Sequence, residues 1–174
     1  MYFNQHLLVV ACLLGVSTAW ASPAFKSVEF VRHSTKCSAG NAGVTLVPDG
    51  SGVSVLFGGL KAEATSRKRD HDRLRCDVIF KLAAPVDAPT RIQLDVRGAI
   101  SVVGKARAGA SIAIQGRKNT LALDSLDPAK TSFVTTIPKG AKKLEISFTG
   151  FAKGKYPASS ALVAIDSVDV IFKR

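Results

Sequence analysis

The sequence predicts an all-β chain folded as an antiparallel β-sandwich of jelly-roll-like form, with a barrel as the alternative. Three observations carry that prediction. Short stretches alternate apolar and polar residues with a period of two, and Gly, Pro, Asp and Lys clusters interrupt them about every 8–12 residues. No window of about 11 residues repeats with the 3.6-residue period of an amphipathic helix. No internal repeat or low-complexity linker divides the chain, so the strands belong to one unit.

Residues 1–21 read as a secretory signal peptide: the apolar run Leu7 to Val16 is closed by the small-residue site Ala19-Trp20-Ala21. The run is shorter than the roughly 20 apolar residues that span a bilayer. Cys12 lies inside this run. Residues 22–174 then form a single β-sandwich domain, long enough to bury about two-thirds of its chain surface. With 24 Lys+Arg against 13 Asp+Glu the net charge is 24 − 13 = +11. The expectation is an exported monomer, extracellular or periplasmic, and not an integral membrane protein.

The two remaining cysteines, Cys37 and Cys76, fit a disulfide in an oxidising compartment. They lack the CxxC spacing of a redox or metal motif. Closing a loop of about 40 residues stabilises by roughly 4 kcal/mol in the chain-entropy treatment.

The strands follow in order. Ser27 to His33 alternates with Val28 and Phe30 on one side. Val44 to Val47 leads into the turn Pro48-Asp-Gly-Ser-Gly52, and Val53, Val55 and Phe57 continue the hairpin until Gly58-Gly59 ends it. Lys61 to Arg75 reads as a basic loop. Leu74, Cys76, Val78, Phe80 and Leu82 make the clearest one-sided strand, with Arg73, Arg75, Asp77 and Lys81 on its wet face. After the turn Pro85 to Pro89, Ile92, Leu94 and Val96 point inward and the strand ends at Gly98. Further strands are expected at 100–103, 110–114, 121–123, 133–137, 144–148 and 162–172. The turns between them include Gly116-Arg-Lys-Asn119, Asp127-Pro128, Pro138-Lys-Gly140 and Lys153 to Pro157.

Cys37-Ser-Ala-Gly40, Val44 to Gly50, Val53 to Phe57, Arg73-Leu-Arg-Cys76, Asp95-Val-Arg-Gly98 and Ser159 to Val168 occur in an order that resembles the secreted family known as domain of unknown function 4360. The resemblance implies secretion and a β-rich fold. That family has no assigned activity, so it implies no catalytic residue.

The chain has no Gly-x-Ser-x-Gly elbow, His-Glu-x-x-His, P-loop or dinucleotide fingerprint, and no cofactor is expected. Asp70-His71-Asp72 is the densest set of metal-ligand types. Five neighbouring cations, Arg67, Lys68, Arg69, Arg73 and Arg75, would repel a metal ion, so a solvated loop is the reading. Those five are instead the candidate anion-binding residues, and basic clusters recur at 105–107, 117–118, 139–143 and 153–155. Beyond residue 21 there is no Trp, one Tyr (Tyr156) and eight Phe mostly at inward positions, a poor supply of platforms for neutral sugars or nucleic-acid bases. The sequence therefore reads as an exported, non-enzymatic β-sandwich binding anionic polysaccharide or cell-envelope polymers through basic loops, with no specific nucleic acid. The alternatives are a small secreted hydrolase using two of Asp95, Asp124, Asp127, Glu145 and Asp166, and a protein-partner or inhibitor module marked by an exposed apolar patch.

Overall fold

The structure is a computed structural model that describes residues 23–31, 37–65, 71–115, 117–123, 131–154 and 159–173, with backbone alone at 117–123. Ten strands make up the described fold: β1 (Phe25–Val31), β2 (Ala42–Leu46), β3 (Gly52–Thr65), β4 (His71–Leu82), β5 (Thr90–Val103), β6 (Arg107–Ile114), β7 (Arg117–Leu123), β8 (Thr131–Ile137), β9 (Lys143–Lys153) and β10 (Ser160–Phe172). They form two five-stranded antiparallel sheets. Sheet A has the order β1-β4-β9-β6-β7, and sheet B has the order β2-β3-β10-β5-β8. Among sequential strands, only β2–β3 and β6–β7 are neighbours in one sheet; elsewhere the chain crosses between layers. This is the expected sandwich, with no closed barrel.

The inner faces meet through alternate residues, as the period of two requires. Sheet A contributes Leu74, Cys76, Val78, Phe80, Ile112, Ile146 and Phe148, all buried. Sheet B contributes Val53, Val55, Ile92, Leu94, Val96, Val168 and Val170. Phenylalanines bridge the layers: Phe57 stands edge-on to Phe148 at 5.7 Å and to Phe30 at 6.4 Å, while Phe25 stacks on Phe172 at 4.5 Å. Such pairs add about 0.5–1.5 kcal/mol each beyond the area they bury.

The Cys37–Cys76 disulfide forms, with Cα atoms 5.3 Å apart and both residues buried. Cys37 lies in the connection that carries the chain from β1 in sheet A to β2 in sheet B. Cys76 is central in β4. The bond therefore fixes the β1–β2 crossover to the middle of β4 in sheet A.

Several boundaries differ from expectation. Gly58-Gly59 does not end β3: the strand runs to Thr65, paired with β10, and the glycines lie in a bulge between the Leu56↔Ser167 and Leu60↔Ile165 pairs. Likewise β5 passes through Gly98 to Val103, because β10 offers partners as far as Ser160. Gly98 is a crowded mid-strand position, where an added Cβ would sit 2.2 Å from the Ala164 carbonyl oxygen. The basic loop 61–75 shrinks from both sides, since Lys61–Thr65 belongs to β3 and His71–Arg75 to β4. The turn expected at Gly116 to Asn119 gives way to β7 from Arg117, held against β6 by the Ile114↔Arg117 pair. Finally, β9 continues past Phe148 to Lys153. Residues 1–22 and the Asp127-Pro128 turn lie outside the described residues.

Candidate basic face on sheet A

The outer face of sheet A is built by the odd-numbered residues of three adjacent strands. Their register aligns β4, β9 and β6 in rows. His71, Lys153 and Arg107 form the first row; Arg73, Phe151 and Gly109 the second; Arg75, Thr149 and Ser111 the third. Side chains directly opposite on antiparallel strands stand about 5 Å apart, and successive rows on one face are about 7 Å apart. Lys105, in the turn before β6, extends the first row.

Several cations meet carboxylates: Lys81 with Glu29, Lys143 with Glu145, Lys61 with Glu63, and Arg97 with Asp169. Lys26, Arg91, Lys139, Lys142 and Lys173 make no ion pair among the described residues, so what sets this face apart is how many unpaired cations its rows bring together. Arg75 is engaged by Asp77 at 3.2 Å. Among the described residues, no carboxylate lies within ion-pair reach of Arg73, Lys105, Arg107 or Lys153. Four cations held without counter-charges at one end of a sheet attract anions more strongly than the same four dispersed.

Two concavities follow the rows. An open groove of about 560 Å³ is lined by Arg73, Arg75, Gly109, Ser111, Thr149 and Phe151, among others. A second, of about 600 Å³, is lined by Lys105, Ala106, Arg107, Lys153 and Gly154. Within the groove Arg73 stands in the row of Phe151, and one row further Arg75, engaged by Asp77, lies beside the Ser111 and Thr149 hydroxyls, which are hydrogen-bonded to each other at 2.6 Å.

Phe151 is the residue the sequence reading did not single out. Of the eight phenylalanines after residue 21, Phe25, Phe57, Phe80 and Phe148 are buried, and Phe30, Phe133 and Phe172 pack against the core. Phe151 is 45% exposed. Its ring leans over Gly109, where an added Cβ would meet Cε1 at 3.0 Å and Cζ at 3.3 Å. The alternation Leu144, Ile146, Phe148, Gly150, Ala152 inward would have placed it outward.

The five candidate anion-binding residues divide. Arg73 and Arg75 stand two residues apart on this face, while Arg67, Lys68 and Arg69 lie outside the described residues. Of the Asp70-His71-Asp72 set, Asp70 is also outside. Asp72 accepts hydrogen bonds from the Glu63 and Arg73 backbone N–H groups, at 3.1 and 2.9 Å. No group of three metal-ligating side chains occurs among the described residues.

The candidate carboxylates do not share a cleft. Asp95 lies opposite Asp169 on the outer face of sheet B. Gln93 Nε2 donates to Asp95 at 2.7 Å, Arg97 donates to Asp169 at 2.9 Å, and the Ser54 hydroxyl also donates to Asp169. These contacts fix both carboxylates to a sheet surface. Glu145 is paired with Lys143, Asp166 is exposed at the β10 irregularity, and Asp124 and Asp127 lie outside the described residues. Arg97, expected at a strand end, is mid-strand. Most of the exposed apolar side chains, among them Val44, Leu46, Leu56 and Val134, belong to sheet B, the layer opposite the basic face; Val31 and Phe151 are on sheet A. Among the described residues no helix is long and apolar enough to cross a membrane.

No family model matches the chain, and no curated protein matches it. Among solved structures it is similar to TmCBM61 in complex with β-1,4-galactotriose (11% identity, TM-score 0.35, covering 86% of this chain and 91% of that one). It is also similar to the CBM36-1 domain of a multidomain xylanase from the hindgut metagenome of Trinervitermes trinervoides (13%, 0.33, 83% and 96%). A third is a family 35 carbohydrate-binding module from Clostridium thermocellum (14%, 0.31, 86% and 98%). At this level of likeness the neighbours add nothing to what the two sheets already establish.

Proposed function

We propose that this protein is an exported, non-catalytic binding module that holds anionic matrix or envelope polymers against the outer face of sheet A. The observation that carries the reading is the clustering of unpaired cations. Arg73, Lys105, Arg107 and Lys153 share one end of a sheet and line its two concavities, with no carboxylate partner among the described residues. Leaving like charges adjacent costs stability, so an arrangement of this kind is consistent with a bound anion supplying the missing charge. The buried Cys37–Cys76 disulfide supports an oxidising compartment. The resemblance to the secreted family named above agrees with export. The reading thus puts the site on the strand residues Arg73, Arg107 and Lys153, with Lys105 in the adjoining turn.

The test compares two triple variants of equal net charge. Arg73→Ala, Arg107→Ala and Lys153→Ala remove charge from the face. Arg91→Ala, Lys139→Ala and Lys173→Ala remove it from exposed positions elsewhere. Titration with polygalacturonate at fixed salt should weaken about ten-fold or more for the face variant and about three-fold or less for the other. Equal losses in the two variants would mean that global charge alone does the binding, and the reading would fail.

A further inference from the structure

We infer that the groove around Phe151 is a subsite for one hexuronic acid unit, a pyranose ring that carries a carboxylate, and that it makes the basic face selective for polyuronides over other polyanions. The inference rests on the reading just given. Its grounds are the three chemistries brought into one groove by strand register.

The first is an apolar platform. Phe151 presents an exposed ring within three rows otherwise formed by cations, a histidine, hydroxyls and a glycine. Gly109 beside it has no side chain, and its bareness lets the ring lean across β6. The C–H face of a pyranose is the apolar surface that complements such a ring. A phosphate or sulfate group has no apolar face to offer.

The second is a cation at the distance a substituent would reach. Arg73 is the direct cross-strand partner of Phe151, so its guanidinium extends beside the ring, with Lys153 and Arg107 one row further. An arginine fork pairs with a planar carboxylate through two parallel hydrogen bonds. A ring stacked on Phe151 would bring an equatorial carboxylate to that fork. The third is the Ser111–Thr149 hydroxyl pair on the far side of the ring. Hydroxyl oxygens both donate and accept, which suits sugar hydroxyls.

A single-stranded nucleic acid also combines stacking with negative charge. It binds by laying successive bases on successive aromatic rings. Among the described residues the outer rows of β4, β9 and β6 offer one phenyl ring, Phe151, with no second one in an adjacent row to take the next base. One sugar unit fits that arrangement better than a run of bases.

The experiment titrates the full chain and its Phe151→Ala and Phe151→Trp variants with three probes at one salt concentration: oligogalacturonate, inorganic polyphosphate and oligo-dT. The expected result is tighter binding of oligogalacturonate than polyphosphate at matched charge. Phe151→Ala should lose about ten-fold for oligogalacturonate and leave polyphosphate unchanged, while Phe151→Trp keeps the preference. Equal losses for oligogalacturonate and polyphosphate, or none for oligogalacturonate, would overturn the subsite. Tighter binding of oligo-dT that Phe151→Ala abolishes would assign the platform to bases and overturn it too. Failure of the basic face reads differently, because it appears in the charge variants and leaves the Phe151 comparison unaffected.

Discussion

Gly98 and the polar cluster beside it show how much a few side chains decide. An added Cβ at Gly98 would lie 2.2 Å from the Ala164 carbonyl oxygen and 3.2 Å from the Ile165 Cα, both backbone atoms that cannot rotate aside. Gly98→Ala should therefore destabilise the fold by about 3 kcal/mol, the upper range for overpacking. Urea unfolding measures it, and a midpoint matching the parent would show that β5 and β10 separate easily there. One residue earlier, Arg97 bonds Asp169, which faces Asp95 across the strand pair. Arg97 is 43% exposed, so solvent screens the pair. Arg97→Met should cost about 1 kcal/mol, and Asp169→Asn in that background should recover part by removing one of two facing carboxylates. A second substitution that only adds to the loss would exclude carboxylate repulsion as the cause. The run Asp95-Val-Arg-Gly98 is visible in the sequence as a motif. Its role is not, because the Ala164 carbonyl and Asp169 arrive from about 70 residues away through a register that local pattern does not encode.

At the scale of the element, strands were legible where large apolar residues alternate and blurred where small ones do. β4 follows its expected course because Leu74, Cys76, Val78, Phe80 and Leu82 are all bulky or buried. β3 was expected to stop at Gly58, yet Ala62 and Ala64 are fully buried and carry the alternation on to Thr65. Alanine is small enough that its burial leaves a weak pattern. In β9 the same holds for Gly150 and Ala152. An added Cβ at Gly150 would meet Leu74 and Val163 at 3.1 Å, so side chains from both sheets fill its space. That packing turns Phe151 outward and hides the signal for the candidate site. The disulfide is legible for a different reason: the two cysteines after residue 21, Cys37 and Cys76, leave one pairing between them. It holds the β1–β2 crossover to β4, so a Cys37→Ser/Cys76→Ser variant should lose about 2–4 kcal/mol. Thermal unfolding of the two forms measures the loss, and identical melting would mean the crossover is held by packing alone.

For the whole molecule, the sequence shows a charge of +11 but not its placement. Composition cannot separate a field spread evenly over loop tips from one concentrated on a face. The fold does so by strand register: it brings Arg73, Arg107 and Lys153 into adjacent rows at the β4–β9–β6 end, where none of them has an ion-pair partner among the described residues, while Glu29, Glu145, Glu63 and Asp169 each fall beside a different cation. Ionic and stacking contributions then separate by their response to salt. A contact between a cation and a polyanion releases condensed counterions, so log affinity falls linearly with log salt, by roughly 0.7 per neutralised charge on a single-stranded polyanion. Removing Arg73, Arg107 and Lys153 together should flatten the slope for polygalacturonate by about 2, allowing for a charge density near that reference. Phe151→Ala should lower affinity at every salt concentration and leave the slope where it was, since stacking releases no ions. A titration series from about 50 to 200 mM salt covers the range in which such slopes are resolved. If the face variant kept the parent slope, the contacts that matter would lie on other cations. If Phe151→Ala flattened it, the ring would be organising charges rather than receiving a sugar.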